Sequence, residues 1–439
     1  MTTAVIHRRA SEFGLGVLAV IVASFGYALV ELAQKPSVPA DLWVIFVAVL
    51  GLFVAAHLAV RRLAPEADPV LLPIAALLNG LGFVTVARLD SNLGRIQAIW
   101  TGVSVLAFVL TLLFVRRIRT LERYRYTFLL FGMVALLLPL APGIGKTING
   151  ARLWVGVGPV NFQPGEAAKV LLVLFFAAYL VDKRELLARG TRRIGGLVLP
   201  EIRHLGPLLV VWGISILIMV RETDLGQAMI VFALAGVMLY VATGRAAYTL
   251  FAVVMFLGAS FAAYELFSHV QSRVVVWLDP FKYANNQGYQ LVQGLFGFAA
   301  GGFAGTGLGL GNPKVIPNVA TDFVFAAIGE ELGLIGTVAI LIALLLFVGT
   351  GLRIAMRAEQ PFPKLFAAGL TTIIGLQSFV IIGGVTRTIP LTGVTLPFIS
   401  YGGSSLVANW VILALLLRIS DDNARGGAAR RGGVTARAP

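Results

Sequence analysis

Long apolar stretches separated by mostly short polar connections run the length of this chain. Apolar spans fall near 12–33, 42–60, 69–87, 96–115, 125–140, 165–182, 205–220, 225–243, 247–266, 326–352, 364–386 and 394–417. Most reach the roughly 20 residues a helix needs to cross a bilayer, while 125–140 and 205–220 are short. In lipid every backbone polar group must be satisfied internally. The pattern therefore predicts an all-α integral membrane protein, a polytopic bundle of about 12 transmembrane helices. The first span is too long for the core of a signal peptide and no small-residue cleavage site follows it, so it is expected to be retained.

Three connections are long. Residues 182–204 are basic and expected to lie along lipid headgroups. Residues 141–164 contain Asn149-Gly-Ala-Arg-Leu-Trp154 and run into Gln163-Pro-Gly-Glu166. Residues 267–325 form by far the longest, and a loop of that length in a compact bundle is usually functional or disordered. Its aromatic residues, Trp277, Phe281, Tyr283, Tyr289, Phe296, Phe298 and Phe303, predict short interfacial helices instead of disorder. The tail, 421–439, is rich in Gly, Ala and Arg and is expected to be disordered, basic and cytoplasmic.

Composition agrees with lipid as the solvent: 58% of residues are hydrophobic and 13% charged, with mean hydropathy +0.88. A soluble domain is about a quarter charged. The net charge of +14 invites a nucleic-acid partner, but its distribution argues against one. With the N-terminus inside, 24 of the 35 Lys and Arg residues fall on the inner side, 10 on the outer, and Lys169 within a span. That is the positive-inside asymmetry, which predicts cytoplasmic termini and long outer loops at 141–164 and 267–325. Attraction to anionic headgroups is a secondary effect of the same charges. The absence of cysteine excludes disulfides and thiolate chemistry, and His7, His57, His204 and His269 are too scattered to suggest a metal cluster.

Ionisable groups within or beside spans are costly, so each is a functional hypothesis. Glu166 and Lys169, three apart after Pro164, share a helix face. They form either a self-neutralising pair or a charged face that meets an anionic substrate. Asp224 is equally readable as an N-cap or as a site residue. His57 faces an apolar helix without an evident partner and reads as structural. Asp322 stands where the longest loop enters a span. If helical, it shares a face with Ala326 and Glu330, and it could serve as a general base or merely cap the helix. Gly145-Lys-Thr147 resembles a phosphate loop but lacks the upstream glycine and strand. Gly305-Thr-Gly-Leu-Gly-Leu-Gly311 lacks a strand–helix context and predicts a tight loop with close backbone approach.

The string Gly393-Val-Thr-Leu-Pro-Phe-Ile-Ser-Tyr-Gly-Gly-Ser-Ser405 resembles the C-terminal signature of the SEDS family, the RodA, FtsW and SpoVE proteins. Asn149–Arg152 and Gln163–Lys169 resemble its first outer-loop motif, and Asp224-Leu-Gly226 its short re-entry motif. Trp277-Leu-Asp-Pro280, Gly288-Tyr-Gln290, Gln293, Thr321-Asp-Phe323 and Gly329–Gly333 resemble the large outer loop and its exit. The motifs run in the family's order across roughly 125–418. The chain departs from the family where Gly165 replaces the usual Ser and Gln227 the usual Thr or Ser. It also reads Pro317-Asn-Val-Ala-Thr-Asp322 in place of Pro-Glu-x-His-Thr-Asp, which leaves Asp322 more singular.

The resemblance implies a peptidoglycan glycosyltransferase that polymerises lipid II outside the cytoplasmic membrane with a class B penicillin-binding protein. It implies a family core of ten spans plus two extra ones at the N-terminus; the N-terminal segment, 1–120, includes the two extra spans, and the family-like region with both outer loops is expected at 121–420. The extension and Ile389–Gly393 are closer to RodA-type members and so to cell elongation and shape. Following the family, Asp322 is expected to be the general base. Arg152, Lys169, Arg273 and Arg387 are expected to contact pyrophosphate or sugar, and Glu166 to orient Lys169. Gln290, Gln293 and Ser404 complete the expected substrate contacts. A divalent cation, Mg2+ or Mn2+, is the one cofactor the resemblance suggests. The alternatives are a lipid II flippase, which suits the many spans but not the unequal outer loops, and a non-catalytic scaffold for a transpeptidase.

Overall fold

The computed structural model describes residues 3–34, 42–148, 150–157, 160–188, 192–194, 197–199 and 202–435. In chain order the helices are α1 Thr3–Gln34, α2 Leu42–Leu63, α3 Leu71–Leu89, α4 Ser91–Phe114, α5 Arg119–Arg123, α6 Arg125–Leu137, α7 Pro164–Asp182 and α8 Arg184–Ala188. There follow α9 Ile202–Arg221, α10 Leu225–Thr243, α11 Ala246–Leu266, α12 Ser268–Leu278, α13 Tyr289–Gly301, α14 Val324–Arg357, α15 Pro361–Val385 and α16 Gly403–Thr435. Among the described residues, 10 helices are long and apolar enough to cross a membrane. The two weakest spans of the sequence appear as shorter apolar helices, Arg125–Leu140 and Gly206–Arg221, so a count of twelve depends on including them.

The chain divides into two compact units. The first comprises Met1–Arg117, Val274–Ile354 and Gln377–Pro439. Here α1 packs on α2 and α3, and α4 on α3 and α16. Small residues let the backbones close up, as expected where van der Waals contact drives helix association in lipid. A Cβ on Gly80 would lie 2.7 Å from that of Ala23, and one on Gly82 2.5 Å from the Ile399 carbonyl oxygen. His57 is not partnerless: its Nδ1 lies 2.7 Å from Oε1 of Glu12, a contact across 45 residues that no local pattern announces. Glu12 also pairs with Arg9.

Two further expectations change in this unit. The last span starts at Gly403, not 394, because Leu396 N–H donates to Ser400 Oγ at 2.8 Å and Phe398 adopts φ 65°. The backbone of α16 continues as helix through Thr435, so the segment expected to be disordered from 421 onward is largely helical. Its first residue, Asp421, is fully buried, pairs with Arg418 and Arg425, and accepts the Glu66 N–H at 2.8 Å. The glycine-rich loop is a tight backbone approach as expected: Thr306 and Gly307 N–H donate to the carbonyls of Glu330 and Glu331. Opposite them α14 breaks at Gly333, φ 65°.

The second unit comprises Ile118–Arg273 and Ala355–Leu376. α7 packs on α6 and α10, which also meets α9 and α11. The fold is not wholly α. The 141–164 connection carries an antiparallel sheet of β1 Gly145–Ile148, β2 Ala151–Val157 and β3 Val160–Phe162, with Lys146 opposite Trp154 and Val155 opposite Phe162. In β2, Leu153, Val155 and Val157 alternate with Arg152, Trp154 and Gly156, the period of a strand. The basic 182–204 connection forms α8 and a hairpin of β4 Arg192–Ile194 and β5 Leu197–Leu199. Asn149 lies outside the described residues.

Candidate active site

Asp322 belongs to the first unit. It is half-buried, two residues ahead of α14, so it does not share a helical face with Ala326 and Glu330. The turn before it is built by Asn318, which takes φ 51°, a conformation Asn tolerates better than most residues. The Asn318 carbonyl accepts the N–H groups of Thr321 and Asp322, both at 3.1 Å. The segment is held from the other side by the C-terminal signature. Ser400 Oγ donates to the Thr321 carbonyl at 2.6 Å, and Tyr401 N–H to that of Ala320 at 2.8 Å. Fully buried Phe323 anchors the next position beneath α13, where a Cβ on Gly294 would lie 2.7 Å from its ring. Asp322 is thus a carboxylate at a helix entrance whose backbone is fixed on both sides.

Glu330 and Glu331 do other work. Glu330 Oε1 accepts the Asn312 N–H at 2.6 Å. Glu331 pairs with Arg88 at 3.1 Å and accepts the Gly309 N–H. Gln290 Nε2 donates to the Pro317 carbonyl at 2.8 Å, bracing the turn that carries Asp322. Gln293 lies one turn further along α13, half-buried. Ser404 is buried at the second position of α16. Arg387 is committed to the backbone: Nε and one Nη donate to the Trp277 and Leu278 carbonyls, at 2.9 and 2.6 Å. Trp277 Nε1 returns a bond to the Arg387 carbonyl at 3.1 Å. This geometry makes Arg387 a clamp on the end of α12, and it weakens the expectation of direct substrate contact.

The second unit gathers Arg152, Glu166, Lys169 and Arg273 around the α9–α10 turn. Pro164 opens α7, and Glu166 and Lys169 pair at 3.0 Å with exposures of 3% and 1%. Gln227 Nε2 donates to Glu166 Oε1 at 2.6 Å. Asp224 caps α10 by accepting the Gln227 N–H at 3.0 Å, and Gln163 Nε2 reaches its other oxygen at 3.4 Å. Burial pushes the Asp224 carboxyl up to about 6; Gln227 N–H opposes this, Glu166 adds to it, and Lys169 and Arg273 oppose it. Burial, helped by Asp224, pushes Glu222 up to about 8. Its Oε1 has no hydrogen-bond partner among the described residues, while its carbonyl accepts the Arg152 N–H at 3.3 Å. The Arg152 side chain donates to the Ala141 carbonyl at 3.0 Å. Sequence reading singled out neither Glu222 nor Ser400; an acid between Arg221 and Thr223 carries no distinctive local signal, and Ser400 is one of several polar residues in the Gly393–Ser405 string.

Among the described residues no group of three or more His, Asp or Glu side chains is arranged to hold a metal ion. Such a group of ligands for the suggested divalent cation is therefore not present among those residues.

Fold and site define a multi-pass membrane protein carrying a poised carboxylate at the end of a large structured loop. Comparison places it more narrowly: residues 69–425 match the family model for FtsW, RodA and SpoVE, described as cell cycle protein, and the chain belongs to that family. It is 44% identical over 424 residues to the peptidoglycan glycosyltransferase RodA of Mycobacterium tuberculosis, covering 94% of this chain and 90% of that one. Among solved structures it resembles a chain of a peptidoglycan synthase complex described as coordinating polymerization and crosslinking, at TM-score 0.67 and 28% identity. That alignment covers 81% of this chain and 98% of the other. It also resembles the Rod shape determining protein RodA of Thermus thermophilus, at TM-score 0.56 and 27% identity, covering 81% and 97%.

Proposed function

We propose that this peptidoglycan glycosyltransferase polymerises lipid II into glycan strands on the outer face of the cytoplasmic membrane, with Asp322 as the general base. The observation that supports the role is the fixed backbone on both sides of Asp322, from Asn318 and from Ser400. A base must sit within hydrogen-bond reach of the proton it removes, so its backbone has to be held. Asp322 takes the proton of the acceptor's 4-hydroxyl as that oxygen attacks the anomeric carbon of the donor. The anomeric C–O bond breaks and the electron pair leaves with the lipid pyrophosphate. A glycosidase also needs an acid to protonate its leaving group; pyrophosphate leaves as an anion, so one carboxylate suffices.

Arg152 and Arg273 are the cations we assign to phosphate contact. Glu166 neutralises Lys169, which makes Lys169 a positioning residue first. Gln290 braces the base, and Gln293 and Ser404 are assigned to the sugars. The termini face the cytoplasm, and the partner is a class B penicillin-binding protein.

Purified protein supplied with lipid II and such a partner in detergent should yield polymer, and Asp322→Asn should abolish it while folding and partner binding persist. Normal polymer length and rate in that variant would remove Asp322 from the mechanism. Detergent has no two sides to flip between, so translocation in liposomes without polymer in detergent would instead identify a flippase.

A further inference from the structure

α1 and α2 lie outside the span that matches the family, which begins at residue 69. Between them the first unit holds a cavity of about 320 Å³. That is the size of a small-molecule site. Its polar lining is all basic or aromatic nitrogen: Arg9, His57 and Arg61. Phe13, Val54 and Leu58 supply an apolar wall.

The two inner nitrogen bases are built in. Arg9 is 4% exposed; it pairs with Glu12 and donates to the carbonyls of Pro65 and Ala67, which fixes the start of α1 on the α2–α3 connection. His57 is 5% exposed and its Nδ1 is taken by Glu12. Nε2 has no hydrogen-bond partner among the described residues, although the ring lines the cavity. Glu12 is fully buried behind them and does not line the cavity, so its charge is consumed by Arg9 and His57. Arg61, exposed at the rim, has no ion-pair partner among the described residues. The cavity therefore offers one uncompensated cation, one ring nitrogen open to a hydrogen bond, and apolar walls on helices that span lipid.

A ligand suited to this set has an anionic phosphate for Arg61, a hydroxyl for His57 Nε2 and a hydrocarbon tail for Phe13, Val54 and Leu58. We infer that the α1–α2 cavity is a binding site for an anionic glycerophospholipid with a hydroxyl-bearing headgroup, of the phosphatidylglycerol type. A zwitterionic phosphatidylcholine also carries the phosphate, but its quaternary ammonium brings a second cation toward Arg61 and it has no hydroxyl for His57.

The test uses the full chain in detergent, titrated separately with phosphatidylglycerol, phosphatidylcholine and inorganic phosphate, with retained lipid read by native mass spectrometry. Phosphatidylglycerol should be retained in preference to phosphatidylcholine. Arg61→Ala should weaken that retention about fivefold, the usual effect of one basic residue near anionic lipid. Leu58→Trp, which fills the cavity from the apolar side, should weaken it as well. Arg62→Ala, outside the cavity lining, should not, and polymerisation activity in each variant reports an intact fold. Equal weakening by Arg62→Ala would reduce the effect to general charge and overturn the site. Equal retention of the two lipids would overturn headgroup recognition. Displacement of phosphatidylglycerol by millimolar inorganic phosphate would assign the cavity to a free anion and overturn the lipid.

Discussion

At the scale of single residues, the hydroxyl of Ser400 connects the C-terminal signature to the segment that carries Asp322, the proposed base. It donates to the Thr321 carbonyl and accepts the Leu396 N–H, so one atom closes the loop that precedes α16 and pins the residue before Asp322. Ser400→Ala leaves two backbone groups without a partner, at about 1–3 kcal/mol. Because the proposed base, Asp322, itself remains, kcat of polymerisation should fall on the order of tenfold with KM little changed; unchanged kcat would show that the segment is held without Ser400. Glu222 gives a different test. An acid pushed from 4.5 up to about 8 favours the folded state while protonated. The contribution is complete below the ordinary value and disappears as pH rises through the folded one. The thermal midpoint of the wild type should therefore fall between about pH 5 and about pH 8 more steeply than that of Glu222→Gln. Parallel curves for the two proteins would mean that Glu222 is hydrated. Asp322 itself was legible in the sequence, since a carboxylate at a loop–span junction stands out against apolar neighbours. Its supports were not: Ser400 lies 79 positions from Thr321, whose carbonyl it binds, and hydrogen bonds at that separation leave no periodicity.

At the scale of elements, α7 and α10 are joined by a buried polar trio. Glu166 pairs with Lys169 within α7 and takes a hydrogen bond from Gln227 on α10. Removing one partner of a buried pair strands the other charge, at about 3–5 kcal/mol, whereas removing both is often neutral. Glu166→Gln should thus lower stability sharply and Glu166→Gln with Lys169→Met should restore it, as measured by unfolding in mild detergent. If polymerisation returns along with stability, the pair is architectural; if it does not, Lys169 carries substrate as well. The intrahelical half of this trio was readable from the i, i+3 spacing, but the Gln227 partner, 61 residues from Glu166, was not. The small sheet in 145–162 was partly readable, because Leu153, Val155 and Val157 alternate with Arg152, Trp154 and Gly156. Reading that connection as loop overlooked a period of two inside a chain dominated by helical spans. The helical tail was hidden for another reason: composition suggested disorder, while burial of Asp421 against the Glu66 N–H depends on a contact across 355 residues.

At the scale of the whole molecule, the sidedness of the chemistry rests on charge distribution. The family match begins at residue 69, after α1 and α2. Two added crossings return the chain to the side it started from, so the extension leaves the orientation of everything downstream unchanged. The bias of Lys and Arg toward one set of connections predicts the α2–α3 connection inside and the long 267–325 loop outside. Each cationic residue resists translocation, so inverting the chain would carry the larger share of its Lys and Arg residues across the bilayer. The chain contains no cysteine, so any thiol introduced into it reports alone. Asn285→Cys, at an exposed position in the long loop, should react with a membrane-impermeant maleimide in intact cells. Arg62→Cys, exposed at the end of α2, should react only after permeabilisation. The opposite pattern would place Asp322 on the cytoplasmic side, where a base for extracellular glycan polymerisation has no acceptor to deprotonate.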